Sequence, residues 1–91
     1  SATEEEEFAL IKTLSLFPEK VQQALAQYEP SVITRYILDV CTDFNRFYHE
    51  HSILGATDPA VRAFRLKLTA ATKIVLSNAF PLICLKAPEK I

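Results

Sequence analysis

The sequence predicts an all-α fold, and three observations favour this class. Apolar residues make up 49% of the chain, which is enough for a packed core. Gly55 is the only glycine, whereas an all-β domain needs several in its turns. Apolar residues recur every three or four positions, and no segment alternates with the two-residue period of a strand. We expect the 91 residues to form a single domain, a helical bundle of four main helices with a short C-terminal helix and an extended tail.

Local signals place the first two helices. Thr3 followed by Glu6 matches a capping box and predicts a helix start there. Phe17 and Pro18 end this helix, and Pro18 suits the first position of a second helix. The second helix has an apolar stripe formed by Val21, Ala24, Leu25 and Tyr28.

The third and fourth helices are the longest. The third runs from about Pro30 to Glu50 with a 3.6-residue apolar period. A loop follows at residues 52–57, and Asp58-Pro59 is a strong helix start because Asp is a preferred N-cap. The predicted inward residues of the fourth helix are Val61, Phe64, Leu68, Ala71, Val75 and Leu76.

Pro81 is expected to end or kink the fourth helix, because proline lacks an amide donor and collides with the preceding turn. Residues 80–85 then form the short C-terminal helix. Residues 86–91 are expected to be an extended tail, since the residue before Pro88 is restricted to extended conformations.

The charge is unevenly distributed although the net charge is only −1. Residues 1–59 contain ten acidic and four basic side chains, whereas residues 60–91 contain six basic side chains and one acidic one. Such a split can place a basic face on a nearly neutral protein. Surplus lysines on a solvated helix are the commoner cause of such a split.

Several functional classes are excluded by the sequence pattern. A phosphate-binding loop needs more than one glycine, and no nucleophile motif is present. His49 and His51 are two residues apart and so face away from each other on a helix, which argues against a metal site. Cys41 and Cys84 have no metal-binding spacing and suit a reducing cytoplasm. We therefore expect no catalytic residue, no metal and no cofactor, and the chain shows no signal peptide or membrane-spanning run.

The segment at residues 44–51 combines aromatic, basic and amide side chains at the end of the third helix. Phe44 and Phe47 are three apart and Phe44 and Tyr48 four apart, so they share a helix face. Two interpretations are open. The face is either part of the core, or a surface that stacks on nucleic-acid bases.

Six segments occur in an order that resembles a known family. They are Leu-Phe-Pro-Glu-Lys-Val (16–21), Tyr-Glu-Pro-Ser (28–31), Phe-Asn-Arg-Phe-Tyr-His-Glu (44–50), Arg-Leu-Lys-Leu (65–68), Val-Leu-Ser-Asn-Ala (75–79) and Ala-Pro-Glu-Lys-Ile (87–91). The chain resembles the C-terminal anticodon-binding domain, the DALR domain, of class I arginyl-tRNA synthetases. The resemblance covers nearly all of the chain from about Phe8.

The resemblance implies a non-catalytic helical domain that binds the anticodon arm of arginine tRNA. ATP and Mg²⁺ would belong to a catalytic domain elsewhere in the parent enzyme, and the resemblance implies a cytoplasmic location without DNA or membrane partners. The residues that it implies as tRNA contacts are Phe44, Arg46, Tyr48, Arg65, Lys73, Asn78 and Ile91. Aromatic side chains would stack on unpaired bases, amides would bond their edges, and cations would meet phosphates.

Each of these residues also has a purely structural interpretation. Phe44 can be core, and Tyr48 can face either the core or the anticodon. Arg65 can pair with an acid such as Asp43, and Asn78 can bond the local backbone. Arg46 and Lys73 can be ordinary solvated cations.

The chain departs from the family pattern near its C-terminus. The family usually has Asn-Gly at Asn78-Ala79, glycine at Cys84 and a terminal methionine at Ile91, and Pro81 is unusual there. The alternative function is therefore a helical protein-interaction bundle that keeps the fold without binding tRNA.

Overall fold

The computed structural model describes residues 2–50 and 58–86, and the side chains of residues 5–49 and 58–83. These residues form four helices, and no strand occurs among them. The helices are α1 (Ala2–Ser15), α2 (Phe17–Gln27), α3 (Pro30–Glu50) and α4 (Pro59–Lys86). The all-α prediction is confirmed, and no helix in the described ranges is long and apolar enough to cross a membrane.

The predicted helix starts are mostly confirmed. The Asp58 carboxylate accepts a hydrogen bond from the Ala60 amide at 2.9 Å, as an N-cap does, and Pro59 opens α4. Pro18 lies in the first turn of α2. Helix α1 begins at Ala2, one residue before the predicted cap Thr3, whose side chain lies outside the described set.

The prediction that Pro81 separates a short fifth helix is wrong. Helix α4 continues through Pro81 to Lys86. Pro81 cannot donate to the Ser77 carbonyl, but both residues are exposed, so water can reach that oxygen. Leu82 and Ile83 pack against the core beyond the proline and keep the last turns in line. The extended tail was predicted at residues 86–91. Lys86 instead belongs to α4, and residues 87–91 lie outside the described residues.

Helix α2 ends with a left-handed residue. Tyr28 has φ 52° and ψ 40°, and the Glu29 amide donates to the Ala24 carbonyl at 3.0 Å. This is a Schellman motif with tyrosine where glycine is usual. Tyr28 and Leu25, both predicted to lie on the apolar stripe, are exposed, while Ala24 is buried as predicted.

Helix α3 is the centre of the bundle, because it packs against the other three helices. One core cluster lies at its N-terminal half and comprises Ala24, Ile33, Ile37 and Ala79. A second cluster lies at its C-terminal half and comprises Leu10, Phe47 and Leu68, with Leu14 and Phe44 packed against it. Because Ile37 meets Ala79 and Phe47 meets Leu68, α3 and α4 run antiparallel.

The inward face of α4 differs from the prediction at three positions. Phe64 was expected in the core but is exposed, whereas Thr72 and Ala79 are buried. The Thr72 hydroxyl donates to the Leu68 carbonyl at 2.9 Å, which allows a polar side chain in the core. Among the described residues, no buried polar side-chain atom lacks a hydrogen-bond partner.

Tyr36 joins α3 to the end of α1. Its ring is buried and stacks on Phe17, with centroids 5.9 Å apart and an interplanar angle of 16°. Its hydroxyl donates to the Thr13 carbonyl at 2.7 Å and lies 3.2 Å from the Leu14 carbonyl. These carbonyls belong to the last turn of α1, and the Thr13 carbonyl also accepts a hydrogen bond from the Leu16 amide at 3.2 Å. Tyr36 therefore caps α1 from a neighbouring helix.

Burial raises the pKa of Tyr36 to about 12 from its usual value of 10.0. Because the folded state holds this proton more tightly, the contribution to stability is complete below pH 10 and is lost as the pH rises through 12. We expect the free energy of unfolding to fall by about 1 kcal/mol between pH 9 and pH 11 from this group. Urea unfolding at both pH values measures it. The Tyr36→Phe variant is the control, and an equal loss in that variant would disprove the assignment.

Candidate functional site

Four rings at the C-terminal end of α3 form a continuous series, which we call the aromatic ladder. Phe47 and Phe44 have centroids 5.9 Å apart at an angle of 49°. Phe44 and Tyr48 are 6.0 Å apart and nearly parallel, with an angle of 25°. Tyr48 and His49 meet edge to face at 6.4 Å and 71°. These distances lie in the range of favourable aromatic contacts.

The aromatic ladder runs from the core to the surface. Phe47 is fully buried between Leu10 and Leu68, and Phe44 is half-buried against the same cluster. Tyr48 is 57% exposed, and His49 is exposed beside it. The i, i+4 spacing of Phe44 and Tyr48 places their rings one above the other on the helix. Tyr48 therefore presents an aromatic ring to solvent while its neighbour Phe44 holds it from the core side.

The structure shows whether Tyr48 belongs to the core or to the surface, which the sequence left open. Tyr48 is on the surface and is not part of the core, whereas Phe47 on the same face is core. Phe44 is intermediate and supports both neighbours.

The predicted cations do not gather around Tyr48. Arg46 is exposed on α3, but two residues along a helix rotate the side chain so that it points roughly 160° away from Tyr48. Lys73 is exposed in the middle of α4, more than one turn beyond Leu68, which meets the ladder. Arg46 and Lys73 therefore flank the ladder at a distance and do not line one pocket with it.

Arg65 has a partner within the protein. Its guanidinium Nε donates to a Glu7 carboxylate oxygen at 3.0 Å, and both side chains are largely buried. The pair links α4 to α1 across 58 positions of sequence. Asp43, the acid suggested by the sequence, accepts a hydrogen bond from the Thr13 hydroxyl and links α3 to α1.

Asn78 is exposed on α4 and bonds its own helix. Its side-chain amide nitrogen donates to the Ile74 carbonyl at 2.9 Å, which is the local bond that the sequence allowed. The side-chain oxygen of Asn78 is an acceptor, because an amide group has both functions. Ile91 lies outside the described residues.

Phe64 is a surface aromatic that the apolar period assigned to the core. It lies one turn before Leu68, and Tyr48 lies one turn after Phe44. Because α3 and α4 are antiparallel, both positions lie toward the same end of the bundle. Position along the helix does not distinguish Phe64, because Val61, three residues closer to the start of α4, is half-buried.

The structure also contains a polar groove of about 350 Å³ between α2 and α3. Its charged lining residues are of both signs, namely Lys20, Glu29, Arg35 and Asp39. A mixed lining of this kind does not favour a polyanion. Within residues 2–50 and 58–86, no group of three or more His, Cys, Asp or Glu side chains is placed to hold a metal ion.

Comparison with known proteins confirms the resemblance seen in the sequence. A family model described as the DALR anticodon binding domain matches residues 1–91. The chain is 42% identical over 89 residues to an arginine–tRNA ligase of Halothermothrix orenii, covering 98% of this chain and 16% of that protein. No solved structure matches it significantly.

Two further relatives carry the same name. An arginine–tRNA ligase of Alkaliphilus metalliredigens is 45% identical over 82 residues, covering 90% of this chain and 14% of the relative. One of Clostridium botulinum is 38% identical over 86 residues, covering 94% and 15%. The chain thus spans about one seventh of the length of the proteins it matches.

Proposed function

Because the chain belongs to the DALR anticodon-binding domain family, we propose that it binds the anticodon arm of an arginine-accepting tRNA. We further propose that it is the non-catalytic, tRNA-binding part of a longer, cytoplasmic arginyl-tRNA synthetase. The catalytic domain of that enzyme would use ATP and Mg²⁺ to join arginine to the tRNA. The observation that carries the proposal is the exposed Tyr48 ring stacked on Phe44.

The aromatic ladder suits the bases of a single-stranded loop. Unpaired anticodon bases expose both faces of their rings, and proteins bind such bases by aromatic stacking. The outer face of Tyr48 is open to solvent, and its inner face is held by Phe44, so a base can stack without reorganising the protein. A ring that is already fixed loses little conformational freedom on binding. His49 adds a second aromatic edge next to Tyr48.

Polar side chains would complete the contact in different ways. Arg46 and Lys73 are exposed and would neutralise phosphates on either side of the loop. Asn78 would accept a hydrogen bond from a base edge through its side-chain oxygen. Ile91 would contact a base from the C-terminal residue of the chain.

Arg65 has a different place in the proposal. Its pairing with Glu7 at 3.0 Å directs part of the guanidinium toward α1. Arg65 would therefore act mainly by holding α1 and α4 in register beneath the tRNA contacts.

Titration of the chain with arginine tRNA and with an anticodon-loop variant of that tRNA tests the proposal. We expect weak binding of the native tRNA and still weaker binding of the variant, since few phosphates are neutralised. The logarithm of the affinity should fall with the logarithm of the salt concentration with a slope of about −1 to −2, as for one to three phosphate contacts.

Three results of the titration would contradict the proposal. Equal affinity for both RNAs would mean that the loop bases are not recognised. Binding that does not respond to salt would mean that phosphates are not contacted, and a chain that binds neither RNA would favour a protein-interaction role.

A further inference from the structure

Two exposed side chains of α4, Phe64 and Lys67, lie at the same end of the bundle as the aromatic ladder. The Phe64 ring is 42% exposed, and Lys67 is exposed as well. The two residues are three positions apart, so they are neighbours on one face of the helix. Their position relative to Tyr48 follows from the contacts that α1 makes with α3 and with α4.

On α4, the contact with α1 identifies the side on which Phe64 and Lys67 lie. Arg65 pairs with Glu7 of α1, so the Arg65 side of α4 faces α1. Each helix position is rotated by about 100° from the one before it. Around the helix from Arg65, buried Leu68 therefore follows at roughly 60° and Phe64 at roughly 100°. Lys67 follows in the same direction at roughly 160°, so it and Phe64 lie on the side of α4 that faces away from α1.

On α3, the contact with α1 places Tyr48 in the same way. The Asp43 carboxylate accepts a hydrogen bond from the Thr13 hydroxyl of α1, so the Asp43 side of α3 faces α1. Around the helix from Asp43, buried Phe47 follows at roughly 40° and Tyr48 at roughly 140°. Tyr48 therefore also faces away from α1, on the same side of the α3–α4 pair as the two residues of α4.

The three side chains also lie at similar heights along the bundle. Phe47 of α3 and Leu68 of α4 belong to one core cluster, and the two helices are antiparallel. The next residue of α3, Tyr48, is therefore roughly level with Lys67, and Phe64 lies about 4.5 Å further toward the end of the bundle. Packed helices have axes about 8–10 Å apart, so Tyr48 and Phe64 flank one groove between α3 and α4.

We propose that Phe64 stacks on a second unpaired base of the anticodon loop, next to the base on Tyr48, and that Lys67 contacts the phosphate joining these two nucleotides. The inference rests on the proposed function, because it takes the loop to lie against Tyr48. A single exposed apolar side chain is ordinary, but two exposed rings and a cation on one side of one groove are the combination that binds single-stranded RNA. Lys67 is then the cation beside the aromatic ladder, whereas Arg46 and Lys73 flank it at a distance.

Substitutions of Phe64 test the stacking contact, with fluorescence anisotropy of labelled arginine tRNA as the measurement. Phe64→Ala should weaken binding by about 5- to 150-fold, which is the effect of one stacked base. Phe64→Tyr keeps the ring and should retain most of the affinity. Phe64→Leu keeps an apolar side chain but removes the ring, so its weaker binding would separate lost stacking from lost packing. Phe80 is the matched control, because it is a 52% exposed phenylalanine of the same helix near its other end. Phe80→Ala should leave the affinity unchanged.

The salt dependence of binding tests Lys67. Lys67→Gln should make the slope of the logarithm of affinity against the logarithm of salt concentration less steep by about 0.7, as for one phosphate of a single strand. Lys12 is the control, because it is an exposed lysine on α1, which packs on the opposite side of the α3–α4 pair. Lys12→Gln should leave the slope unchanged.

Arginine tRNAs that each lack one base of the anticodon loop distinguish the two rings. With the base on Tyr48 removed, Tyr48→Ala should bind as well as the unsubstituted chain, while Phe64→Ala should still bind more weakly. With the neighbouring base removed, the two variants should exchange their behaviour. The two effects then belong to two consecutive nucleotides.

Four outcomes would overturn the inference. Phe64→Ala could bind as tightly as Phe80→Ala, or Lys67→Gln could keep the full salt slope. Removal of one base could cancel the effects of both Tyr48→Ala and Phe64→Ala, which would mean that the two rings share that base. If Tyr48→Ala weakens binding in the first case, only this inference fails. The fourth outcome, an unsubstituted chain that does not bind arginine tRNA, would reject the proposed function as well.

Discussion

Replacing Phe47 with alanine is expected to lower the free energy of unfolding by about 3–5 kcal/mol. Phe47 is fully buried between Leu10 of α1 and Leu68 of α4, and its ring also contacts Phe44. The substitution removes the transfer free energy of a phenyl ring and leaves a cavity where three helices meet. A domain of this size is stable by only roughly 5–14 kcal/mol, so the loss is a large part of the total.

Urea unfolding followed by circular dichroism measures this loss, and Phe8→Ala is the matched control. Phe8 is also a helical phenylalanine, but its ring is exposed on α1. We expect its replacement to change the free energy of unfolding by less than about 0.5 kcal/mol. Similar losses in the two variants would show that Phe47 is not the centre of the second cluster.

Replacing Tyr48 with alanine is expected to weaken tRNA binding by about 5- to 150-fold, which corresponds to the 1–3 kcal/mol of one stacked base. Because Tyr48 is 57% exposed, the fold should remain intact. Tyr48→Phe keeps the ring and should retain most of the affinity if stacking dominates. Fluorescence anisotropy with labelled arginine tRNA gives the dissociation constants.

Tyr28 is the control for the Tyr48 experiment. It is 83% exposed and lies in the turn between α2 and α3, far along the chain from the aromatic ladder. Tyr28→Ala also removes an exposed tyrosine ring and should leave tRNA affinity unchanged. Equal weakening by both substitutions would indicate a nonspecific surface effect, and no weakening by Tyr48→Ala would reject the ladder as the base-binding surface.

The helices could be predicted from the sequence because their signals are local. Pro30, Asp58 and Pro59 each act on the turn in which they lie, and the observed helices begin where these residues predict. The predictions were wrong at positions where contacts with residues distant in the sequence determine the structure. Pro81 has a strong local tendency to break a helix, yet the contacts of Leu82 and Ile83 with the core keep α4 continuous. Leu25 follows the apolar period but lies where the bundle offers no neighbour to cover it.

The candidate site likewise has features that local sequence predicts and features that depend on distant packing. The shared face of Phe44, Phe47 and Tyr48 follows from helical spacing, and the structure brings these three rings together. Residue spacing along one helix does not show how much of it the neighbouring helices cover. The exposed fractions of Tyr48 and Phe64 could therefore be read only from the packed structure. The pairing of Arg65 with Glu7 joins residues 58 positions apart, and no local pattern identifies such a partner.

The proline within α4 has a consequence for local opening of the fold. Because Pro81 has no amide proton, the ladder of backbone hydrogen bonds in α4 is interrupted at this turn. The turn between Ser77 and Pro81 is therefore held by one backbone hydrogen bond fewer than a regular turn of the helix, and weakly held segments open at lower free-energy cost than the whole domain. The direction of the last turns then depends on two side chains, Leu82 and Ile83, and on how firmly the first core cluster holds them.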